Sequence, residues 1–271
     1  MTMTVPRLQS MKADGQKSVC IVAWDVHMAR IADQAGADII SVGDTVGVNL
    51  WGHDSPLQIT FDELLIVAKA VRRGVADALL SCDFPFGPLQ AGYAVPAAIR
   101  LVKEAGVDIV KLDGAADFPE AVEAVTRAGI PVFAQFGITP QTALRFGVAY
   151  SAASVAQVPD DMADELVAQA KRLESAGAVA LNFTNSGPVV GPVVVEAVDI
   201  PVLGGFGGGP WLDGRIRMAT AALGYDAKNV GRGAGTYANV ADTAFTALQE
   251  LVDDVRGGRQ IRGGVPYVEP S

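Results

Sequence analysis

The stretch Ala105-Gly106-Val107-Asp108-Ile109-Val110-Lys111-Leu112-Asp113 joins a helix stop, a short apolar strand and a charged strand end in one run. Glycine enters the left-handed conformation that closes a helix at little steric cost, so Gly106 marks the end of the preceding helical pattern. The run at 109–112 is brief and mostly apolar, as in a strand buried on both faces of a parallel sheet. The same Ala-Gly-apolar triplet recurs at Ala35-Gly36-Ala37, Ala128-Gly129-Ile130 and Ala176-Gly177-Ala178, each followed within a few residues by another strand-like run.

Working outward, strands are expected at 19–23, 39–42, 78–82, 109–112, 132–135, 179–183 and 202–204, with an eighth near 227–230. Helical stretches fall between them at 61–73, 94–104, 119–128 and 161–175. In the last, Met162, Leu166, Val167 and Ala170 line one helix face. Strict alternation of β and α implies a parallel sheet, and the length suits one (β/α)8 TIM-type barrel of about 250 residues. A doubly wound open sheet is the competing architecture, but no Gly-x-Gly-x-x-Gly follows the first strand. We expect a single barrel domain over 1–271, with irregular N- and C-terminal extensions. The segment 146–160 is long for a barrel loop and reads as a lid or an insertion, and 255–271 as an irregular tail.

The composition narrows the function. The chain has 271 residues, half of them apolar, and a formal charge of −9. Without a cationic stripe it is no nucleic-acid binder, and without a long apolar segment no membrane protein. Cys20 and Cys82 lie in apolar runs and read as reduced core residues of a cytoplasmic protein. The expected assembly is a homo-oligomer, and the expected partner a small molecule.

In a barrel, side chains just past the C-terminal strand ends face the active site. That rule collects Asp25, Asp44, Asp83, Lys111, Asp113, Gln135, Thr184 and Asn185. Asp25 reads as a helix cap and His27 as an ordinary surface or core residue. His53 could be either plain or functional. Asp44 and Asp83 follow consecutive strands inside Gly- or Pro-containing loops, and Lys111 is seldom buried without a partner. Carboxylates converging with an ammonium call for a hard cation such as Mg2+, which takes oxygen ligands. The glycine-rich run at 204–209 could cradle an anion with backbone N–H groups.

These residues lie in stretches that resemble the ketopantoate hydroxymethyltransferase (3-methyl-2-oxobutanoate hydroxymethyltransferase) family, within the phosphoenolpyruvate mutase and isocitrate lyase superfamily. The matching segments are Val42-Gly43-Asp44-Thr45-Val46-Gly47, Gly52-His53-Asp54-Ser55, Ala70-Val71-Arg72-Arg73-Gly74, Cys82-Asp83-Phe84-Pro85-Phe86, Val110-Lys111-Leu112-Asp113-Gly114 and Gly137-Ile138-Thr139-Pro140-Gln141. The resemblance implies that Asp44 and Asp83 ligate Mg2+. It implies that Asp113, in place of a glutamate, joins the metal's surroundings, and that Thr45, in place of a serine, binds the substrate carboxylate. Lys111 would contact the substrate oxygens and stabilise an enolate. The one-carbon donor would be 5,10-methylenetetrahydrofolate, the substrate a 2-oxo acid, and the default product ketopantoate, on the route to pantothenate.

The chain also departs from that pattern. Gln135 stands where the family carries a histidine, and Thr184 where it carries a catalytic glutamate. A threonine cannot accept the C3 proton at neutral pH. Two other readings therefore stand beside hydroxymethyl transfer: a C–C lyase or aldolase on the same metal-enolate platform, and a catalytically inactive binding relative.

Overall fold

The computed structural model describes residues 2–90, 92–149, 156–232 and 235–263. They group into two compact units, 1–217 and 218–271. The first holds a closed, all-parallel barrel in strand order β1-β2-β3-β4-β5-β6-β7-β8. Its strands are β1 (Ser18–Val22), β2 (Ile39–Val42), β3 (Leu79–Asp83), β4 (Ile109–Leu112), β5 (Val132–Gly137), β6 (Ala180–Thr184), β7 (Val202–Gly204) and β8 (Gly214–Met218). The principal helices of this unit are α1 (Val5–Ala13), α2 (Val26–Gln34), α3 (Val46–Trp51), α4 (Phe61–Arg72), α5 (Ala94–Ala105), α6 (Pro119–Arg127), α7 (Ala163–Ser175) and α8 (Val190–Glu196). The second unit contains α9 (Ala219–Ala222) and α10 (Val240–Arg256). No helix among the described residues is long and apolar enough to cross a membrane.

Local chemistry sets the helix ends. Asp25 caps α2 by accepting from the His27 and Met28 N–H groups, so the capping reading of that residue holds. Thr60 and Glu63 form a capping box at the start of α4. All four repeat glycines are left-handed, with φ of 88° at Gly36, 65° at Gly106, 84° at Gly129 and 95° at Gly177.

The eighth strand is not at 227–230, where a short 3-10 turn spans Ala227–Asn229. It is Gly214–Met218, whose buried Gly214 and Ile216 alternate with the exposed Arg215 and Arg217. That alternation lacks the all-apolar signature of the other strands, and no helix precedes it after β7. Gly214 is needed because a Cβ there would stand 2.5 Å from the Ser18 carbonyl oxygen. Beside it the Ser18 N–H donates to the Asp213 carbonyl and closes the ring. The lid reading of 146–160 falls partly on residues 150–155, which lie outside the described residues, as does the tail from 264 onward. The start of that tail is the last turn of α10.

Strand register decides which side chains share the barrel interior. Ser41 pairs with Ser81, Asp83 with Lys111, Lys111 with Phe133, Phe133 with Ala180, and Gln135 with Asn182. Paired residues in a parallel ladder project to one face. The opposite face carries Leu112, Ala134, Phe136 and Phe183, and the last two stack at 4.7 Å. Cys20 and Cys82 are free and buried, and burial pushes the Cys20 thiol up to about 12.

The cap glycines separate backbone strain from collision. Nothing lies within 4 Å of a Cβ built at Gly36, whereas one at Gly177 would meet Thr126 Cγ2 at 2.6 Å. Gly36→Ala should therefore lose only the left-handed backbone cost of about 1–2 kcal/mol. Gly177→Ala should lose more, because Thr126 must also move, and urea denaturation of the two variants measures the difference.

Candidate active site at the barrel mouth

Three carboxylates and one ammonium meet at the C-terminal ends of β2, β3 and β4, and all are buried: Asp44, Asp83, Lys111 and Asp113. Asp83 ends β3, and its Oδ1 lies 2.9 Å from Lys111 Nζ. The contact is a buried ion pair. Asp83 Oδ2 accepts from the Asp44 N–H at 3.3 Å, which ties the loop after β2 to the end of β3. Thr45 follows Asp44, half-buried at the start of α3.

The loop after β5 binds this cluster together. Gln141 Nε2 donates to Asp44 Oδ2 at 3.0 Å and to the Phe84 carbonyl at 2.8 Å. Thr139 and the Gln141 backbone hydrogen-bond to Asp113, yet Asp113 Oδ1 has no partner among the described residues. Sequence reasoning quoted Gly137-Ile138-Thr139-Pro140-Gln141 as a motif but gave Thr139 and Gln141 no role. The motif was the signal, and the tertiary structure supplies its purpose.

The electrostatics follow from burial. Asp44 is held well above the usual carboxylate range, first by desolvation and then by the charges of Asp83 and Asp113. Asp113 rises to about 7, mainly through burial, against the opposing hydrogen bond from Thr139 and the charge of Lys111. Burial works to lower the Lys111 pKa, but the charge and hydrogen bond of Asp83 outweigh it and the net shift is upward. One ammonium cannot balance three ionised carboxylates in a medium of low dielectric.

A divalent cation fits that deficit. The donors are hard oxygens: Asp83 Oδ1 meets the Lys111 ammonium, and Asp113 Oδ1 is a buried acceptor without a hydrogen-bond partner among the described residues. Among the described residues no three His, Cys, Asp or Glu side chains close into a ligand group by themselves. The arrangement matches the habit of Mg2+, which takes one or two carboxylates and leaves its other positions to water and substrate.

On the opposite wall, Gln135 Nε2 donates to Thr184 Oγ1 at 3.1 Å, and both side chains are buried. Asn182, one inward position below Thr184, is buried with them and was not singled out from sequence. Asn185 takes φ 61°, the sole positive value at a non-glycine described residue, and its Nδ2 donates to the Ile138 carbonyl. His27 is exposed. His53 is partly buried and packs on Gly47, where a Cβ would approach its Nδ1 to 2.6 Å. The glycine run at 204–209 has a packing reason. Side chains at 204, 207 and 209 would strike the Phe183 carbonyl, the Asn185 backbone and the Trp211 ring at 2.6, 2.6 and 2.2 Å.

The fold and the mouth define a (β/α)8 barrel with acidic and basic groups at its C-terminal strand ends. Solved structures of the same fold include a phosphonopyruvate hydrolase complexed with oxalate and Mg2+, at TM-score 0.60 and 17% identity, covering 99% of this chain and 93% of that one. Another is 2,3-dimethylmalate lyase, a member of the phosphoenolpyruvate mutase/isocitrate lyase superfamily, at TM-score 0.59 and 16% identity, covering 99% and 91%. The chain belongs to the ketopantoate hydroxymethyltransferase family, whose model matches residues 2–260. The 3-methyl-2-oxobutanoate hydroxymethyltransferase of Salinibacter ruber is 36% identical over 255 residues, 93% of this chain and 94% of the relative. The Cyanothece enzyme of the same name is 37% identical over 262 residues, 94% and 97%.

The crowded carboxylates set a pH dependence. A carboxyl whose folded pKa is raised favours the folded state while protonated. Its contribution is lost as pH rises from the ordinary carboxylate range through the folded value, about 7 for Asp113. Metal-free protein should therefore lose stability between weakly acidic and neutral pH. Asp44→Asn removes one of the crowded charges and keeps an acceptor for Gln141. It should raise the metal-free melting temperature above neutral pH, through a gain of about 1–3 kcal/mol. Thermal melts across that pH range, with a chelator present, check both expectations.

Proposed function

We propose that this protein catalyses Mg2+-dependent transfer of a one-carbon unit from 5,10-methylenetetrahydrofolate to the enolate of a 2-oxo acid. By family, 3-methyl-2-oxobutanoate is the first acid to test and ketopantoate its product. The observation that carries this reading is the buried set of Asp44, Asp83 and Lys111 at one strand-end mouth. Asp44 and Asp83 would hold the metal, with Asp113 completing the acidic set. Mg2+ bound there would act as a Lewis acid that lowers the cost of the enolate.

The remaining work falls to the protein's own side chains. Thr45, at the start of α3, offers a hydroxyl to the substrate carboxylate. Lys111, pinned by Asp83, places a fixed positive charge where the enolate oxygen develops negative charge, and needs no reorganisation to do so. Gln135 fixes the Thr184 hydroxyl and orients that wall against the substrate's far end. A threonine hydroxyl is too weakly basic to remove the C3 proton. That task passes to Asp113, whose Oδ1 is buried and unpartnered.

The tests separate the parts of this reading. Calorimetry should show Mg2+ binding to the wild type and its loss in Asp44→Asn and Asp83→Asn. Undiminished affinity in both variants rules out these ligands. Lys111→Met keeps the aliphatic stem and should lower kcat about 100-fold or more. Deuterium exchange at C3 of 3-methyl-2-oxobutanoate, followed by NMR with Mg2+, examines the base. Asp113→Asn should slow exchange by about 100-fold or more, while Thr184→Glu should raise it. Exchange indifferent to both changes would put the base elsewhere. Product formation that requires methylenetetrahydrofolate separates transfer from C–C cleavage.

A further inference from the structure

The wall made by β5 and β6 carries polar groups with nothing to bind. Gln135 and Asn182 are Cα partners across these strands, so their side chains project side by side into the barrel. Each is only 4% exposed. Gln135 spends its Nε2 on Thr184 Oγ1, which points its Oε1 away from that bond. Neither Gln135 Oε1 nor Asn182 Oδ1 has a hydrogen-bond partner among the described residues. Ser81 is paired with Ser41, and Gln141 with Asp44 and Phe84. Asn185, just past Thr184, spends its Nδ2 on the Ile138 carbonyl, and its buried Oδ1 is a third acceptor without a hydrogen-bond partner among the described residues. The unmet demand on this wall is of one kind, neutral amide acceptors that lack a donor, and two of them, on Gln135 and Asn182, project side by side from paired strands.

The charges stand elsewhere. Asp44, Asp83 and Lys111 belong to the β2, β3 and β4 ends and would take the carboxylate and ketone of a 2-oxo acid. What meets β5 and β6 is then the acid's other end. Both carbonyl oxygens are already buried without a donor, which is expensive, and an apolar group such as isopropyl would leave them so. A hydroxyl would satisfy them.

Resting on the reading of this mouth as a 2-oxo acid site, we infer that the substrate carries an O–H or N–H donor of its own beyond C4, recognised by Gln135 Oε1 and Asn182 Oδ1. Asn182 becomes a specificity-determining residue, and the preferred acid is a hydroxylated or similarly polar one, not a plain branched-chain acid. A site built to receive such a donor discriminates against the analogue that lacks it, because its own polar groups are then left unpaired.

The experiment is calorimetric binding with Mg2+ present, using matched pairs of acids: 5-hydroxy-2-oxopentanoate against 2-oxopentanoate, and 4-hydroxy-2-oxobutanoate against 2-oxobutanoate. The wild type should bind the 5-hydroxy acid about 10-fold or more tightly than its apolar match. Asn182→Leu, close in shape but without the amide, should bring that pair to near equality and leave 2-oxopentanoate no weaker. Asn182→Val repeats the test should the leucine not pack. Equal binding of the first pair by the wild type overturns the inference, with no variant needed. A preference confined to the 4-hydroxy acid also overturns it, since the oxygens would then serve a newly transferred hydroxymethyl group. A preference that neither variant reduces would place recognition of the hydroxyl on other groups and overturns the inference too. If no 2-oxo acid binds at all, the reading of the mouth itself falls, and this inference with it.

Discussion

Three carboxylates sit in the dry mouth of the barrel with one lysine to face them, and much of the local architecture exists to hold that imbalance. Left alone, the cluster raises the pKa of Asp44 and of Asp113, and at Asp44 desolvation and two neighbouring charges act in the same direction. The Lys111–Asp83 pair relieves part of the repulsion, and Gln141 gives Asp44 a donor. What remains is a site whose stability without a cation is poorer than its geometry suggests. Buried charge that is organised but not neutralised is the condition in which a bound divalent ion contributes most.

The mouth has two walls of different character. The strand ends of β2 to β4 keep the residue types that the family resemblance assigns to metal and carboxylate recognition: Asp44, Asp83 and Lys111, with a hydroxyl retained at Thr45. The β5 and β6 wall has changed. A glutamine and a threonine, linked to each other at 3.1 Å, stand where the resemblance expects a histidine and a glutamate. A neutral donor–acceptor pair thus occupies positions where that resemblance implies two groups able to move protons. On the proposed reading the charged wall would stabilise an enolate and the neutral wall would recognise the rest of the molecule; Asn182 extends the neutral wall inward.

Glycine serves two purposes in this chain, and they differ in how far they can be read. At Gly36, Gly106, Gly129 and Gly177 it allows positive φ at helix ends, a local demand visible as a repeated triplet. In the 204–209 run it lets backbone and bulky side chains approach, with Phe183, Asn185 and Trp211 occupying the space a Cβ would need. The second demand comes from residues on another strand or across a turn, so the run by itself could equally suggest an anion cradle.

The sequence by itself determined the alternation of strand and helix, seven of the eight strands, the capping role of Asp25 and the convergence of Asp44, Asp83, Lys111 and Asp113 on one mouth. Each of these follows from short-range chemistry, or from the rule that parallel strands end on one side of the barrel. The eighth strand escaped because Arg215 and Arg217 alternate with buried residues and break the apolar run. Only the tertiary structure decided that Gln141 clasps Asp44 across 97 positions of chain, that Gln135 spends its amide on Thr184, and that the Gln135 and Asn182 oxygens are left without partners. Hydrogen bonds are directional and short, so which groups meet and which remain unmet depends on strand register and packing, and no local pattern encodes it.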